Sequence, residues 1–170
     1  MDAGSPFDLQ RLAPVSDRYA TMPVADAFTW DACLSDIAPG EWYMVAFRST
    51  RRVDADEARL TAYDDWAHTE AVDAPGFVQY FKGPANGRGE CMSFCLWTSR
   101  AEARAASGRP AHVAAAALTF ESYAQYRLEF HRVRRLAGGG FTFEPYDQAA
   151  VPPVARPAHL SGLRAQPASS

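Results

Sequence analysis

Asp64 and His68 stand four residues apart on either side of Trp66 in the segment DADEARLTAYDDWAHTEAVDA. On a helix that spacing is about one turn, so the carboxylate can orient the imidazole as a general base requires. The structural alternative is an exposed acid and imidazole pair on a charged helix face. Arg48, in phase with Trp42, Met44 and Ala46 along EWYMVAFRST, needs an anion or carboxylate if it points inward, and otherwise snorkels out from the strand end. Gln79, Ser93 and Cys95 are small or polar where a solid core would carry Leu or Ile, which leaves room and hydrogen-bonding groups for a small molecule. Solvent or a partner chain against the same positions is the competing reading. His112 follows Pro110 in an Ala-rich segment, where an imidazole can contact a substrate, ligate haem, or simply begin a helix. His131 alternates with Glu129 and Arg127, a charged stripe of the kind that faces solvent or an interface. No Ser, His, Asp triad, P-loop or H-E-x-x-H spacing is present, which removes the hydrolase, NTPase and zinc-protease readings.

The composition bounds the rest. A chain of 170 residues, 48% hydrophobic and 22% charged with a formal net charge of -3, suits one globular domain and offers no basic footprint for nucleic acid. No apolar run reaches the roughly 18 residues of a membrane span, and the N-terminus MDAGSPFDLQ lacks the regions of a signal peptide, so no membrane partner and a cytoplasmic location are expected. The three cysteines, Cys33, Cys91 and Cys95, lack metal-knuckle spacing, and no metal site is expected. On one strand Cys91 and Cys95 share a face about 13 Å apart, too far for a disulfide, and read as small buried hydrophobes.

These candidates need elements to position them. EWYMVAFRST (41–50) predicts a strand, and residues 54–74 a helix with Asp54 as N-cap, stopped by Pro75-Gly76. GFVQYFKG and ECMSFCLWTS predict a hairpin across PANGRG. Residues 100–120 are helical by propensity with a break at Ser107 to Pro110. ESYAQYRLEFHRVRR returns to a strand, and FTFEPY adds a short further one. The order β, α, β, β, α, β is the ferredoxin-like, split βαβ unit: an α+β fold with an antiparallel sheet and both helices on one face. It occupies residues 40–146, between an irregular extension (1–39) and a Pro-rich and Ala-rich tail (147–170) that contains His159 and reads as disordered.

Within residues 41–133, the helix ending AVDAPGF and the strand ending LWTSRAEARAA, followed by PAH, resemble the antibiotic-biosynthesis-monooxygenase type of dimeric α+β barrel. The resemblance rests on Pro75-Gly76, on Trp97-Thr98-Ser99 and on the position of His112. It implies a cofactor-independent oxygenase acting on an aromatic or polyketide-like small molecule, with Trp66, Trp97 and Tyr80 as ring-holding walls and His68 or Arg48 stabilising the substrate anion. The alternative is a barrel that binds haem or another hydrophobic ligand without catalysis, with His112 as the haem ligand. Haem degraders carry a Trp ahead of that His, and AEARAASGRPA has none.

Alternation sorts the hairpin into a face with Phe77, Gln79, Phe81, Cys91, Ser93, Cys95 and Trp97, and another with Val78, Tyr80, Lys82, Met92, Phe94 and Leu96. Neither reads as solvated, and helices cover only one. A homodimer with two sheets packed face to face is therefore expected, the rival cover being the extension through Phe28, Trp30, Leu34 and Ile37.

Overall fold

Aromatic and β-branched density makes EWYMVAFRST the middle of the sheet. In chain order the elements are α1 (Val24–Ala27), β1 (Gly40–Arg51), α2 (Glu57–Val72), β2 (Phe77–Phe81), β3 (Glu90–Trp97), α3 (Arg100–Ser107), α4 (Pro110–Ala117), α5 (Thr119–Ser122), β4 (Tyr123–Arg135) and β5 (Phe141–Pro145). The computed structural model describes residues 9–146, apart from the side chains of residues 34–36. The tail, His159 and the Leu34 side chain thus lie outside the described residues. The strands form one sheet in the order β2-β3-β1-β4-β5, with antiparallel neighbours throughout. The first four strands and their two helical crossovers are the ferredoxin-like unit, and β5 extends it as a hairpin from β4. Among the described residues no helix is long and apolar enough to cross a membrane.

The helical side is held by local chemistry. Asp56, not Asp54, caps α2 by accepting from the Arg59 amide at 3.0 Å; Asp54 instead pairs with Arg52 at 3.1 Å. Gly76 has φ 75°, and a Cβ there would lie 2.1 Å from the Glu102 carboxylate, so the turn into β2 requires glycine. Ser99 and Glu102 form a capping box at the start of α3. The break at Gly108 and Arg109 is followed by Pro110 at the first turn of α4, where its missing N–H costs nothing. Glu70 of α2 accepts from the Ala111 amide at 3.0 Å and so fixes α4 to α2.

The opposite face of the sheet is covered by the chain's own extension. Met44, Met92, Phe94, Leu96 and Val133 have no exposure and pack against Tyr19, Val24, Phe28, Trp30 and Ile37. Each such side chain stabilises the fold by about 1.5–3 kcal/mol when fully buried. Phe28 is the hub, with ring centroids 5.2 Å from Phe81, 5.4 Å from Tyr19 and 5.6 Å from Phe94. Trp30 donates to the Val24 carbonyl at 3.0 Å and lies 4.9 Å from Phe143. The bare face from which a second copy was expected therefore does not exist, because the extension from Leu9 to Ile37, folded into short turns, suffices to cover a sheet whose outward side chains interlock with it.

Arg48 belongs to this face. Its guanidinium makes a two-pronged bond to Glu129, at 2.8 and 3.1 Å, and donates to the Ala20 carbonyl at 2.7 Å. It fastens the extension to the sheet. The Arg127, Glu129, His131 stripe lies on the same side, with His131 Nε2 3.4 Å from Glu129. Burial lowers the imidazole pKa of His131, against the pull of Glu129.

Candidate functional site

Between the helix-facing side of the sheet and α2, α3 and α4 lies a cavity of about 400 Å³, within the size range of small-molecule sites. Residue size on β3 explains where it is. Cys91, Ser93 and Cys95 face the cavity, while Met92, Phe94 and Leu96 on alternate positions fill the other side. The walls are aromatic, with Tyr43 and Phe47 from β1, Phe77 and Tyr80 from β2, Trp97 from β3 and Phe130 from β4.

Two irregularities in the sheet decide which side chains reach it. On β2, Phe77 pairs with Trp97 but Gln79 pairs with Leu96, so Val78 and Gln79 together oppose one residue. This bulge reverses the alternation beyond it. Tyr80 and Lys82 turn toward the cavity, and Phe81 turns into the extension side. On β4, Tyr123 pairs with Arg51 and Gln125 with Thr50, leaving Ala124 as the extra residue. Tyr123 and Tyr126 consequently both line the cavity, with ring centroids 5.5 Å apart.

The polar groups are few and mostly engaged. Tyr80 donates to Asp64 Oδ1 at 2.8 Å, and Lys82 pairs with Oδ2 of the same carboxylate at 2.8 Å. Asp64 thus orients the phenol of Tyr80, with Lys82 on its other oxygen. The His68 ring instead rests against Tyr80, at 5.1 Å between centroids, and Phe77 at 6.1 Å. Burial, reinforced by the Asp64 carboxylate, pushes the Tyr80 phenol well above the ordinary tyrosine range. Burial also raises Tyr123 and Tyr126, and takes Tyr43 up to about 12. These phenols remain protonated donors at neutral pH. Cys95 is likewise pushed up to about 12 by burial, although Trp97 Nε1 donates to its sulfur at 3.0 Å; it is an unreactive thiol. Ser93 accepts from the Gly83 amide at 3.0 Å. His112 lines the cavity, and burial lowers its pKa against the opposing effect of Glu70.

Of the residues singled out in the sequence, Asp64, His68, Tyr80, Ser93, Trp97 and His112 meet at this cavity. Arg48 does not, because it stands on the other side of the sheet in its pair with Glu129. Gln79 sits in the bulge and is not part of the lining. Trp66 is half exposed and stacks edge-on against Tyr63 at 6.1 Å, since it points along the outer side of α2. Arg51, Tyr123 and Tyr126 were not singled out. The one available signal was the density of tyrosines in ESYAQYRLEF, which period-two alternation divides between opposite faces.

The frame is the one the sequence resemblance implies, and several solved structures are similar to this chain over rather more than half of its length. SnoaB, a cofactor-independent oxygenase from Streptomyces nogalater, is 14% identical, with coverage of 58% of this chain and 98% of that one and a TM-score of 0.48. Rv0793 from Mycobacterium tuberculosis is 22% identical, covering 55% and 92%, with a TM-score of 0.47. A dimeric ferredoxin-like protein of unknown function from Thermobifida fusca is 15% identical, covering 54% and 90%, with a TM-score of 0.44. These likenesses concern the frame and say nothing of activity. In sequence, the UPF0643 protein PB2B2.08 of Schizosaccharomyces pombe (strain 972 / ATCC 24843) is 28% identical over 149 residues, 77% of this chain and 68% of that protein. The PB2B2.08-like family matches residues 6–145, extension and sheet together, and the chain belongs to that family.

Proposed function

We propose that the cavity binds a hydroxylated aromatic or polyketide-like molecule and that the protein is a cofactor-independent oxygenase acting on it. The observation that carries the reading is the wall itself: flat side chains of Phe77, Tyr80 and Trp97 beside the titratable His68 in one cavity of about 400 Å³. The walls hold the ring, and His68 takes a proton from it. The resulting anion gives an electron to dioxygen; one oxygen atom enters the ligand and the other leaves as water with the two hydrogens the ligand loses. The reading places the protein in the cytoplasm. A homodimer would have to form away from the covered sheet face. Oxygen uptake with a panel of hydroxylated aromatics tests the proposal, and binding without any uptake removes the oxygenase step.

A second reading is favoured by His112, whose burial keeps the imidazole neutral, the form that ligates a metal. In that reading the cavity holds haem or another hydrophobic ligand without turnover. A Soret band on haem titration, abolished by His112→Ala, is the expected result. A band that survives the substitution removes His112 as ligand, and no band removes haem.

A further inference from the structure

At the cavity end between β1 and β4, two phenols, a serine hydroxyl and a guanidinium come together. Tyr123 lies opposite Arg51 and Tyr126 opposite Ser49 across the two strands, and all four side chains line the cavity. The bulge at Ala124 is what puts both phenols on one side, and bulges of this kind re-aim side chains at functional sites. The nearby carboxylates are spoken for. Asp64 receives Tyr80 and Lys82, and Glu57 is paired with Arg51. Even so, Nε of Arg51 is buried with no hydrogen-bond partner among the described residues, and a buried donor left unmade costs free energy that a bound acceptor would recover.

We propose that this end of the cavity is an oxyanion site, in which Tyr123 and Tyr126, with Arg51 beside Tyr123, receive the ionised oxygen of a phenol or enol carried by the aromatic ligand. The inference rests on the reading of the cavity as an aromatic site and adds which form of the ligand is bound and at which end. Burial is the main cause of the raised phenol pKa values, with Asp64 facing both phenols and Glu57 facing Tyr123. The paired Lys82 and Arg51 offset these carboxylates, and a neutral donor fixed in a dry site stabilises a negative oxygen without giving up its proton. It also supplies what the oxygenase step needs, because an electron leaves an anion more readily than a neutral phenol. His68, on α2 and against Tyr80, approaches the ring from another wall.

Para-nitrophenol is a suitable reporter ligand, because its phenolate is coloured and its phenol is not. Bound to the full chain, it is expected to ionise roughly one pH unit or more below its value in solution, the effect of one strong charged hydrogen bond. Tyr123→Phe and Tyr126→Phe should each return most of that shift and weaken phenolate binding roughly tenfold. Para-nitroanisole, which has no ionisable oxygen, should bind the variants and the parent alike, and this controls for loss of fold. Binding of para-nitrophenol with ionisation as in free solution overturns the oxyanion site and leaves the aromatic cavity standing. Equal loss of both ligands in the variants also overturns it, as a packing role would produce that. Failure of both ligands to bind the parent protein overturns this inference together with the aromatic reading.

Discussion

The two faces of one sheet have opposite characters. Toward the extension, the alternate residues of β3 are Met92, Phe94 and Leu96, none exposed, and the polar groups on that side are engaged, as when Arg48 meets Glu129 and the Ala20 carbonyl. Toward the helices the same strand offers Cys91, Ser93 and Cys95, and a void results. Both sheet irregularities act on the void, and each turns a tyrosine toward it. The difference teaches that along β3 side-chain volume separates the solid face from the open one. A solid face beside it supplies the rigidity an open one lacks.

The comparison breaks first at Phe28. Phe28→Ala should cost about 3–5 kcal/mol of unfolding free energy, measured by denaturant titration, because it empties the centre of a solid cluster. Phe47→Ala, on the cavity wall, should cost about 2 kcal/mol or less, since its neighbours already border a void; equal costs would show that the two faces do not differ as described. The parent chain should sediment as a single species near 18.6 kDa, and the Phe28 variant should shift toward larger species as the sheet face loosens. Arg48→Met comes next. It leaves Glu129 buried beside only His131 and the exposed Arg127, and should cost about 3 kcal/mol. It should leave aromatic-ligand affinity unchanged, because the guanidinium lies across the sheet from the cavity. A loss of affinity without loss of stability would return Arg48 to the site.

The smallest effect is on pH dependence, and it touches both faces. His131 on one side and His112 on the other have lowered pKa values, chiefly through burial. The folded state therefore binds fewer protons than the unfolded chain. Their contribution is fully present above about pH 6.5, the ordinary imidazole value, and is lost as pH falls from there toward the folded values. Glu129, lowered by Arg48 and Arg127 although burial opposes them, adds a second loss in the carboxylate range. Melting temperature should therefore decline from about pH 6.5 downward, and His131→Asn combined with His112→Asn should flatten the upper part of that decline. A decline equally steep in the double variant would place its origin elsewhere.

Much of this was legible in the residues themselves. The strand and helix order follows from periodicity and punctuation. The size alternation on β3 can be read straight off ECMSFCLW, because that strand is regular over its length. On β2 the same reasoning fails after Gln79, since a bulge leaves no mark in residue type and shifts every later side chain to the other face. Asp54 and Asp56 are equally good caps by type; the helix begins after Asp56, whose carboxylate is the one in reach of the Arg59 amide. The extension was legible as apolar but not as sufficient, because its coverage depends on Phe28 and Trp30 interlocking with β3 and β5, contacts between residues far apart in the chain.

Each bulged strand also carries one residue more than its partner requires, Gln79 or Val78 on β2 and Ala124 on β4. Counted without Gln79, the run reads Phe77, Val78, Tyr80, Phe81 and alternates cleanly between cavity and extension; counted without Ala124, Tyr123, Gln125 and Tyr126 do the same. Deletion of either surplus residue would straighten its strand while leaving the same aromatic groups on the same sides. Chain length at these two positions can therefore drift by one residue without rebuilding the cavity, whereas deletion of Tyr80 would bring Phe81 opposite Cys95 and turn it into the cavity.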